Sequence, residues 1–467
     1  MTVSPFDTVA AVSTPHGKGG MAIIRLSGED AMTIVSRVFR PMGRTSPGEL
    51  PDRMAVYGTF RDPDTGEVLD DGLCTVFRAP RSFTGEDTVE LSCHGGVLVT
   101  RNVLEACLRA GARDALPGEF TRRAFLNGKL DMERAEALGN LLDAGNGEQV
   151  RLARAGMNGL LTTAADETYA DLMAVLSNLE AGMDFPEEDL TELTRDEIRT
   201  AIGMAVRRLR ELVSTYRTGH AIAEGIPTVI CGRPNVGKSA FYNHLVGRDA
   251  AIVTSIAGTT RDVLTDTVTI GRVTLRLSDT AGLRETDDPV EQIGVERAER
   301  ALADAELVFL LEDATADEPT PADDALRARL EASGAYIIRV LTKRDLLVDG
   351  QTLSDRLTEI EGVPTVCLSS QSGEGFDALA ATVEAAFIDA DLHMGEEAVV
   401  FSARQVAALR EAADALQTAA DNLDVGLPYD ICADDIRAAM AALGALCGRE
   451  TGEDVINEIF SRFCVGK

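Results

Sequence analysis

The sequence predicts a chain of mixed α/β and all-α parts: an N-terminal α+β domain, a discontinuous helical bundle, and an α/β domain inserted into that bundle. Three observations carry this reading. First, the apolar run Thr228-Val229-Ile230-Cys231 leads through a glycine-rich octet into the helical pattern Ala240 to Val246. Second, that segment is flanked by stretches of nearly pure helical periodicity, from about Arg122 to Tyr216 and again over Ser402 to Asn422 and Asp434 to Phe463. Third, the first 120 or so residues mix short alternating runs with turns. A bundle whose broken ends lie close together tolerates such an insertion; two separate helical domains are the alternative.

In the N-terminal part, Ala22 to Leu26, Met54 to Phe60, Cys74 to Phe77 and Val89 to Ser92 read as strands, and Ala31–Phe39 and Val97–Ala110 as helices. Together they make a compact α+β domain over residues 1–120. The helical part begins over residues 121–218, where Leu172, Leu176, Leu179 and Met183 recur at helical spacing, and resumes over residues 391–467. The inserted domain spans residues 219–390.

The octet is Gly232-Arg233-Pro234-Asn235-Val236-Gly237-Lys238-Ser239, followed by Ala240. Strand, glycine-rich loop and helix are the setting of a Walker A loop, and the inserted domain is therefore expected to be a Ras-like P-loop domain. The glycines let successive backbone N–H groups turn toward one anion. Lys238 offers charge to the β- and γ-phosphates and Ser239 a hydroxyl to Mg²⁺, while the helix N-terminus adds its dipole. Three further boxes follow in order. Gly258-Thr259-Thr260 sits in a loop where a threonine, Thr260, closes on Mg²⁺ and the γ-phosphate. Asp279-Thr280-Ala281-Gly282 ends the run Val273 to Ser278; its aspartate suits the Mg²⁺ water shell and its glycine N–H the γ-phosphate. Thr342-Lys343-Arg344-Asp345 follows Tyr336 to Leu341. There Asp345 accepts from the N1–H and N2–H₂ of guanine, a pair of donors that adenine does not present. A fifth element, Ser369-Ser370-Gln371, places a backbone N–H near the guanine O6. Five boxes in order, each at the end of an apolar run, point to GTP with Mg²⁺.

Two positions depart from the usual pattern. The fourth box starts with Thr342 where asparagine commonly braces the P-loop and touches the base; threonine is shorter, and a weaker hold on guanine is expected. The third box is followed by Leu283 where many Ras-like enzymes place a water-orienting glutamine. Either hydrolysis is slow or another residue does that work.

Composition bounds the setting. Hydrophobic residues make up 45% of the 467, ample for several cores, yet no run approaches the roughly 18 apolar residues of a membrane span. The opening Met1-Thr2-Val3-Ser4-Pro5 has no signal-peptide pattern. The eight cysteines form no C-x-x-C pair, which argues for a reducing, cytoplasmic location over disulfides or a zinc knuckle. A net charge of −31 is the wrong sign for gripping nucleic acid over the whole surface, so any RNA must meet a local basic patch or a partner.

The chain resembles the MnmE (TrmE) tRNA-modification GTPases along essentially its whole length. The resemblance rests on Asp7 to Ala11, Gly19 to Gly28, Ser82-Phe83-Thr84-Gly85-Glu86-Asp87, His94-Gly95-Gly96, Pro117-Gly118-Glu119-Phe120, Arg123 to Asp131, Asp184 to Glu188 and the ending Cys464-Val465-Gly466-Lys467. It implies an N-terminal dimerisation and folate-binding domain, a discontinuous helical domain and an inserted G domain. It also implies a homodimer that works with an FAD-carrying partner, MnmG, on the C5 of the wobble uridine of certain tRNAs. The carbon would come from a tetrahydrofolate derivative of the 5-formyl or 5,10-methylene type.

By the same resemblance Glu90 reads the pteridine edge, with Arg25, Lys129 and Lys467 as basic partners. Taken alone, Glu90 could face water, Arg25 could serve a surface salt bridge, and Lys467 could be a frayed end. Cys464 is either a functional thiol or a buried apolar residue, and His94 is expected to be structural. For catalysis the resemblance implies K⁺ held by Asn235 and by Thr254, Ile256 and Thr259 of the loop Thr254-Ser255-Ile256-Ala257-Gly258-Thr259, once two G domains meet. It marks Glu291 as the residue that positions water, alongside Lys238; otherwise Glu291 is a solvated acid at a helix start. Two other readings stand beside this one. An Era/EngA-like ribosome-assembly switch would carry a basic RNA-binding appendage. A membrane-remodelling GTPase would need a basic or apolar tip, and none is evident.

Overall fold

The computed structural model describes residues 7–15, 17–43, 49–184, 193–248, 265–278, 301–315, 330, 333–347, 363–393, 395–449, 452–461, 463 and 465–466. Contacts group the chain into two compact units, Met1–Gly139 with Gly444–Lys467, and Asn140–Leu443.

The first unit is built on seven strands: β1 (Val9–Val12), β2 (Met21–Ser27), β3 (Phe39–Pro41), β4 (Val56–Arg61), β5 (Val68–Phe77), β6 (Thr88–His94) and β7 (Arg113–Asp114), in the order β3-β4-β5-β6-β2-β1-β7. Every pairing is antiparallel except β1 with β7. The side-chain period of two sorts β2 and β6 into two faces. Ala22, Ile24 and Leu26 pair with Cys93, Leu91 and Val89 on the buried face. There they pack against Ile34, Val35 and Val38 of α1 (Ala31–Val38) and Val103, Ala106 and Cys107 of α2 (Val97–Arg109). The opposite face carries Arg25, with Ala11 on one side and Glu90 and then Thr75 on the other.

Two helices follow, α3 (Glu119–Leu126) and α4 (Met132–Asp143). The helix Glu453–Ser461 closes the unit, packing Ile456 and Phe460 on Met132 and Ala135. Gly118 explains part of the Pro-Gly-Glu-Phe motif: its φ is 63°, and a Cβ there would collide with the Phe460 carbonyl oxygen. Glu119, next in line, is buried and anchors a network of charges. It takes Arg113 at 2.5 and 2.9 Å, Arg123 at 3.0 Å and the Leu116 N–H at 2.8 Å. Arg123 reaches on to Glu86 at 3.0 Å, and Glu86 accepts from the Ser27 hydroxyl at 2.8 Å. Burial pushes the Glu119 carboxyl up, but the two guanidiniums and the Leu116 N–H outweigh it and hold it below the usual carboxylate range.

The second unit begins with α5 (Gly147–Met157), α6 (Leu160–Asp184), α7 (Arg195–Ser214) and α8 (Tyr216–Ala223). Asn146 caps α5, and Thr194 with Glu197 forms a capping box on α7. Leu172, Leu176 and Leu179 are buried as their spacing suggests, whereas Met183 is exposed. A six-stranded sheet follows: β8 (Ile226–Gly232), β9 (Thr265–Ile270), β10 (Val273–Ser278), β11 (Leu307–Asp313), β12 (Tyr336–Thr342) and β13 (Thr365–Cys367), in the order β13-β12-β11-β8-β10-β9. All pairs are parallel except β9 with β10. Its core joins Phe241 and Leu245 of α9 (Lys238–Arg248) and Leu379 and Val383 of the helix Phe376–Phe387 to Ile230, Leu275, Phe309 and Val340.

After the sheet the chain returns to the helices it left. Val400 N–H donates to the Thr215 hydroxyl at 2.9 Å, and the helix Ala403–Asp424 lies on α7. Arg195 donates to the Leu423 carbonyl at 2.6 Å and Arg199 pairs with Asp424 at 2.7 Å. The helical run expected over Asp434 to Phe463 is two helices, Tyr429–Cys447 and Glu453–Ser461. Gly448 stands between them at φ 83°, where a Cβ would press on the Phe125 ring. The β9–β10 turn is fastened to its surroundings. The Arg272 N–H donates to Glu384 at 2.8 Å, and Asn146 Nδ2 donates to Thr274 at 3.1 Å and Thr269 at 3.3 Å.

Glu119→Ala is expected to destabilise the first unit by about 3 kcal/mol at neutral pH, because two guanidiniums lose their shared buried partner. The folded pKa of Glu119 is lowered, so its contribution is complete above the unfolded carboxylate value and is lost as pH falls through the folded one. Urea melts of the variant and the unmutated protein should converge in acid. A gap that stays constant with pH would show that the charge is not what stabilises.

Candidate nucleotide-binding site

Every described box of the second unit sits at the carboxyl end of a strand. β8 lies between β11 and β10, and the strand order reverses there, which is where open α/β sheets bind ligands. Gly232 ends β8 at φ 149°, and a Cβ would collide with the Leu311 carbonyl oxygen of the neighbouring strand. Asn235 at φ 65° and Gly237 at φ 95° then take left-handed conformations, curling the loop so that its N–H groups face one side. Lys238 opens α9 and arches back, donating to the Gly232 and Arg233 carbonyls at 2.7 and 2.8 Å. Ser239 and Ala240 are exposed in the first turn. This cradle fits a polyphosphate: it offers N–H groups, one ammonium and a helix N-terminus. Ser239 and Asn235 stand exposed on this loop with side-chain oxygens.

Thr342, the last residue of β12, is buried beneath this loop. Its hydroxyl lies 2.6 Å from the Val236 carbonyl and 3.0 Å from the Glu312 carbonyl. The P-loop brace usual for asparagine is therefore kept by threonine. Lys343 follows at φ 61°, its ammonium 2.6 Å from Asp313. Burial pushes the Asp313 carboxyl up, but the Lys343 ammonium and the Thr315 hydroxyl and N–H overcome this and hold it below the usual range. Asp345 is exposed in a short 3₁₀ turn, Arg344–Leu346, and has no hydrogen-bond partner among the described residues. Such a carboxylate is available to a pair of N–H donors.

The fourth and fifth boxes are joined directly, since the Arg344 N–H donates to the Leu368 carbonyl at 3.2 Å. Ser369 is buried and organises its own turn: its Oγ accepts from the Gln371 and Ser372 N–H groups at 3.3 and 3.2 Å, and its N–H donates to Glu374 at 2.9 Å. His244, on α9, touches this turn at the Ser370 carbonyl. Sequence reasoning missed it, because a histidine inside an ordinary helical pattern carries no signal of what the helix faces.

On the sheet of the first unit, Arg25 and Glu90 meet. Nη2 and Nε of Arg25 lie 2.7 and 3.0 Å from one Glu90 oxygen, and the pair is about one quarter exposed. The guanidinium stacks between Phe83 and Phe120, 6.0 and 5.7 Å from their ring centroids. Lys129 does not join that pair; its ammonium donates to the Pro80 carbonyl at 3.0 Å, on the loop that supplies Phe83. The tail is fixed nearby: Val465 bridges Pro117, and Ser13 donates to the Gly466 carbonyl at 2.9 Å. A Cβ on Gly466 would collide with the Val12 carbonyl. His94 pairs with Asp70 at 2.8 Å, a hydrogen bond that raises its pKa, and Asp71 lies within the same 4.8 Å cluster.

Two family models match the chain: the N-terminus of GTP-binding protein TrmE over residues 8–129, and the MnmE helical domain over residues 132–464. The tRNA modification GTPase MnmE of Symbiobacterium thermophilum is 44% identical, with 99% of both chains aligned, and that of Geobacillus kaustophilus is 39% identical over the whole of both. The chain belongs to the MnmE family. Among solved structures, Era of Aquifex aeolicus bound to GDP and AlF₄⁻ is 24% identical over 40% of this chain and 65% of that one, with a TM-score of 0.29, and carries no argument.

The MnmE-family motifs of the first unit converge in space. Ser82 to Asp87 packs on the segment after α3: Asn127 Nδ2 donates to the Thr84 carbonyl at 2.7 Å, and Gly85, at φ 81°, leaves 3.1 Å between its missing Cβ and that of Asn127. Thr254, Ser255, Ile256, Ala257, Gly258, Thr259, Thr260, Asp279, Thr280, Ala281, Gly282, Leu283, Glu291, Cys464 and Lys467 lie outside the described residues.

Thr342→Val keeps the shape and removes the hydroxyl, leaving the buried Val236 carbonyl without its donor. Affinity for both GTP and GDP should fall on the order of tenfold, while turnover at saturation changes little. Equal affinities by fluorescent-nucleotide titration would show that the brace is irrelevant to binding.

Proposed function

We propose that this chain hydrolyses GTP to drive modification of C5 of the wobble uridine in certain tRNAs, acting in the cytoplasm as a homodimer with an FAD-carrying MnmG partner. The observation that carries the reading is the convergence, at the carboxyl edge of one mostly parallel sheet, of a glycine-rich loop, its Lys238, the Thr342 brace and the Asp345 carboxylate, exposed and without a partner among the described residues. The MnmE relatives, named tRNA modification GTPases, supply the tRNA. The chain is read as residues 1–120, 121–218 with 391–467, and 219–390, for the folate-binding, helical and G domains. The Era/EngA-like alternative is not favoured, since the family match covers the N-terminal and helical parts as well.

In this reading Lys238 and the loop N–H groups hold the phosphates, Ser239 and Thr260 hold Mg²⁺ beside Asp279, and Asp345 with the Ser369–Gln371 turn reads guanine. Leu283 cannot orient water, so Glu291 does so, and Asn235, Thr254, Ile256 and Thr259 hold K⁺; bound cations supply positive charge where the β–γ bridge becomes negative. Arg25 and Glu90, with Lys129 and Lys467, bind a tetrahydrofolate derivative. The fit rests on chemistry: a partly exposed carboxylate and guanidinium flanked by two aromatic rings suit a flat heterocycle with donors and acceptors on one edge. The fixing of Val465 and Gly466 beside β1 supports a place for the tail there, with Cys464 as its functional thiol.

The deciding experiment is wobble-nucleoside analysis of tRNA from cells lacking this chain. Hypomodified uridine is expected, and an unchanged nucleoside profile overturns the proposal.

The two sites should also separate by mutation. Glu90→Ala is expected to abolish tetrahydrofolate binding in calorimetry and leave K⁺-stimulated GTP hydrolysis near the unmutated rate. Asn235→Ala should do the reverse, removing the advantage of K⁺ over Na⁺ with folate binding intact. A variant that loses both activities together would refute their assignment to separate sites.

A further inference from the structure

His244 stands on α9, six residues beyond Lys238, with its ring stacked on Phe376: centroids 4.0 Å apart, planes at 24°. Phe376 stacks on Phe241 at 5.7 Å, and Phe241 meets Phe309 of β11 edge-on at 5.5 Å. This ladder of rings runs from the centre of the sheet to the turn after β13. At its end, Nδ1 of His244 lies 3.0 Å from the Ser370 carbonyl. A carbonyl only accepts, so Nδ1 carries a proton. Nε2 is buried and has no hydrogen-bond partner among the described residues.

The hydrogen bonds of the turn show what that ring achieves. Ser369 Oγ takes the N–H groups of Gln371 and Ser372, and His244 takes the carbonyl of Ser370. Ser370 is thereby fixed from both sides, and its own N–H has no acceptor among the described residues. A fixed, unengaged donor at this point matches guanine, whose O6 is an acceptor; adenine carries an amino donor there, which would oppose it.

We propose that His244 is a positioning residue for guanine recognition: it holds the Ser370 carbonyl so that the Ser370 N–H meets the guanine O6. The inference rests on the guanine-nucleotide reading above, and separates two halves of base recognition. Asp345 reads N1–H and N2–H₂; His244, through Ser370, sets the reading of O6.

Full-length protein titrated with GTP, ITP and 6-thio-GTP tests this. ITP lacks the 2-amino group that Asp345 accepts from, and 6-thio-GTP replaces O6 with a weaker acceptor. His244→Phe keeps the stacking and removes the donor; His244→Asn restores a donor near the position of Nδ1. His244→Phe should lose on the order of tenfold in GTP affinity, and its preference for GTP over 6-thio-GTP should shrink toward one. Its preference for GTP over ITP should stay as in the unmutated protein, as should turnover at saturating GTP. His244→Asn should regain most of the GTP over 6-thio-GTP preference. Thermal melts of both variants report folding separately. If His244→Phe lowers all three affinities by the same factor, or lowers none, the positioning role is overturned. Unmutated protein that prefers GTP to neither ITP nor ATP would overturn the guanine reading itself, and with it this one.

Discussion

The close approach of β8 to β11 at Gly232 and Leu311 is the constraint on which the nucleotide end of the chain depends. In a parallel sheet the strands bring their carboxyl ends to one edge, and the loops leaving that edge compete for space. A side chain on Gly232 would meet the Leu311 carbonyl oxygen and push the two strands apart. With glycine there the strands stay paired to their ends, and the P-loop starts one residue from a neighbour that also leads, through Asp313, to Lys343. The Val236 carbonyl then lies within reach of Thr342, the Arg344 N–H within reach of Leu368, and the boxes become one hydrogen-bonded rim.

Much of this was legible in the residues, for a physical reason. A phosphate-binding loop needs glycines and a lysine at fixed spacing, and the sequence pattern shows them without reference to the rest of the fold. β8 and β12 show as mostly apolar runs, and β10 as an alternation of Val273, Leu275 and Leu277 with polar residues, each leading into a box. β9 carries a strand pattern of its own, threonine at every second residue from Thr265 with Val268 and Ile270 between, but Asp266 and the run's shortness leave it unmarked beside the boxes. β3 and β7 were too short to register. Contacts across the sheet were invisible: nothing local to Thr342 reveals that its hydroxyl reaches Val236, 106 residues earlier. Threonine is shorter than asparagine, yet its hydroxyl still reaches the P-loop because the loop sits close.

The first unit shows the opposite balance. Its motifs were recognised only as a resemblance, since none of them spells out a chemistry. Their physical meaning emerges from the network around Glu119. Arg113, Arg123, Glu86 and Ser27 come from a strand, a helix, a loop and another strand, and their charges cancel in a place where any one alone would be costly. Glu86 reaches Ser27, and Ser27 lies two residues from Arg25 on the same face of β2. Arg25 is thus held from beneath by Phe120 of the same helix that carries Arg123. Such a chain of supports is the means by which a partly exposed pair keeps one geometry.

The fastened turn between β9 and β10 has a mechanical consequence. The two strands are paired along their whole length, from Thr265 opposite Ser278 to Ile270 opposite Val273. At the turn, Glu384 holds the Arg272 N–H, and a Cβ on Gly271 would have nowhere to go but into that carboxylate. Asn146 holds the threonines Thr269 and Thr274 that face each other across the ribbon. The turn of this ribbon is thereby tied to the N-cap of α5 through Asn146 and to the helix Phe376–Phe387 through Glu384, so its position is set by two helices distant from it in sequence.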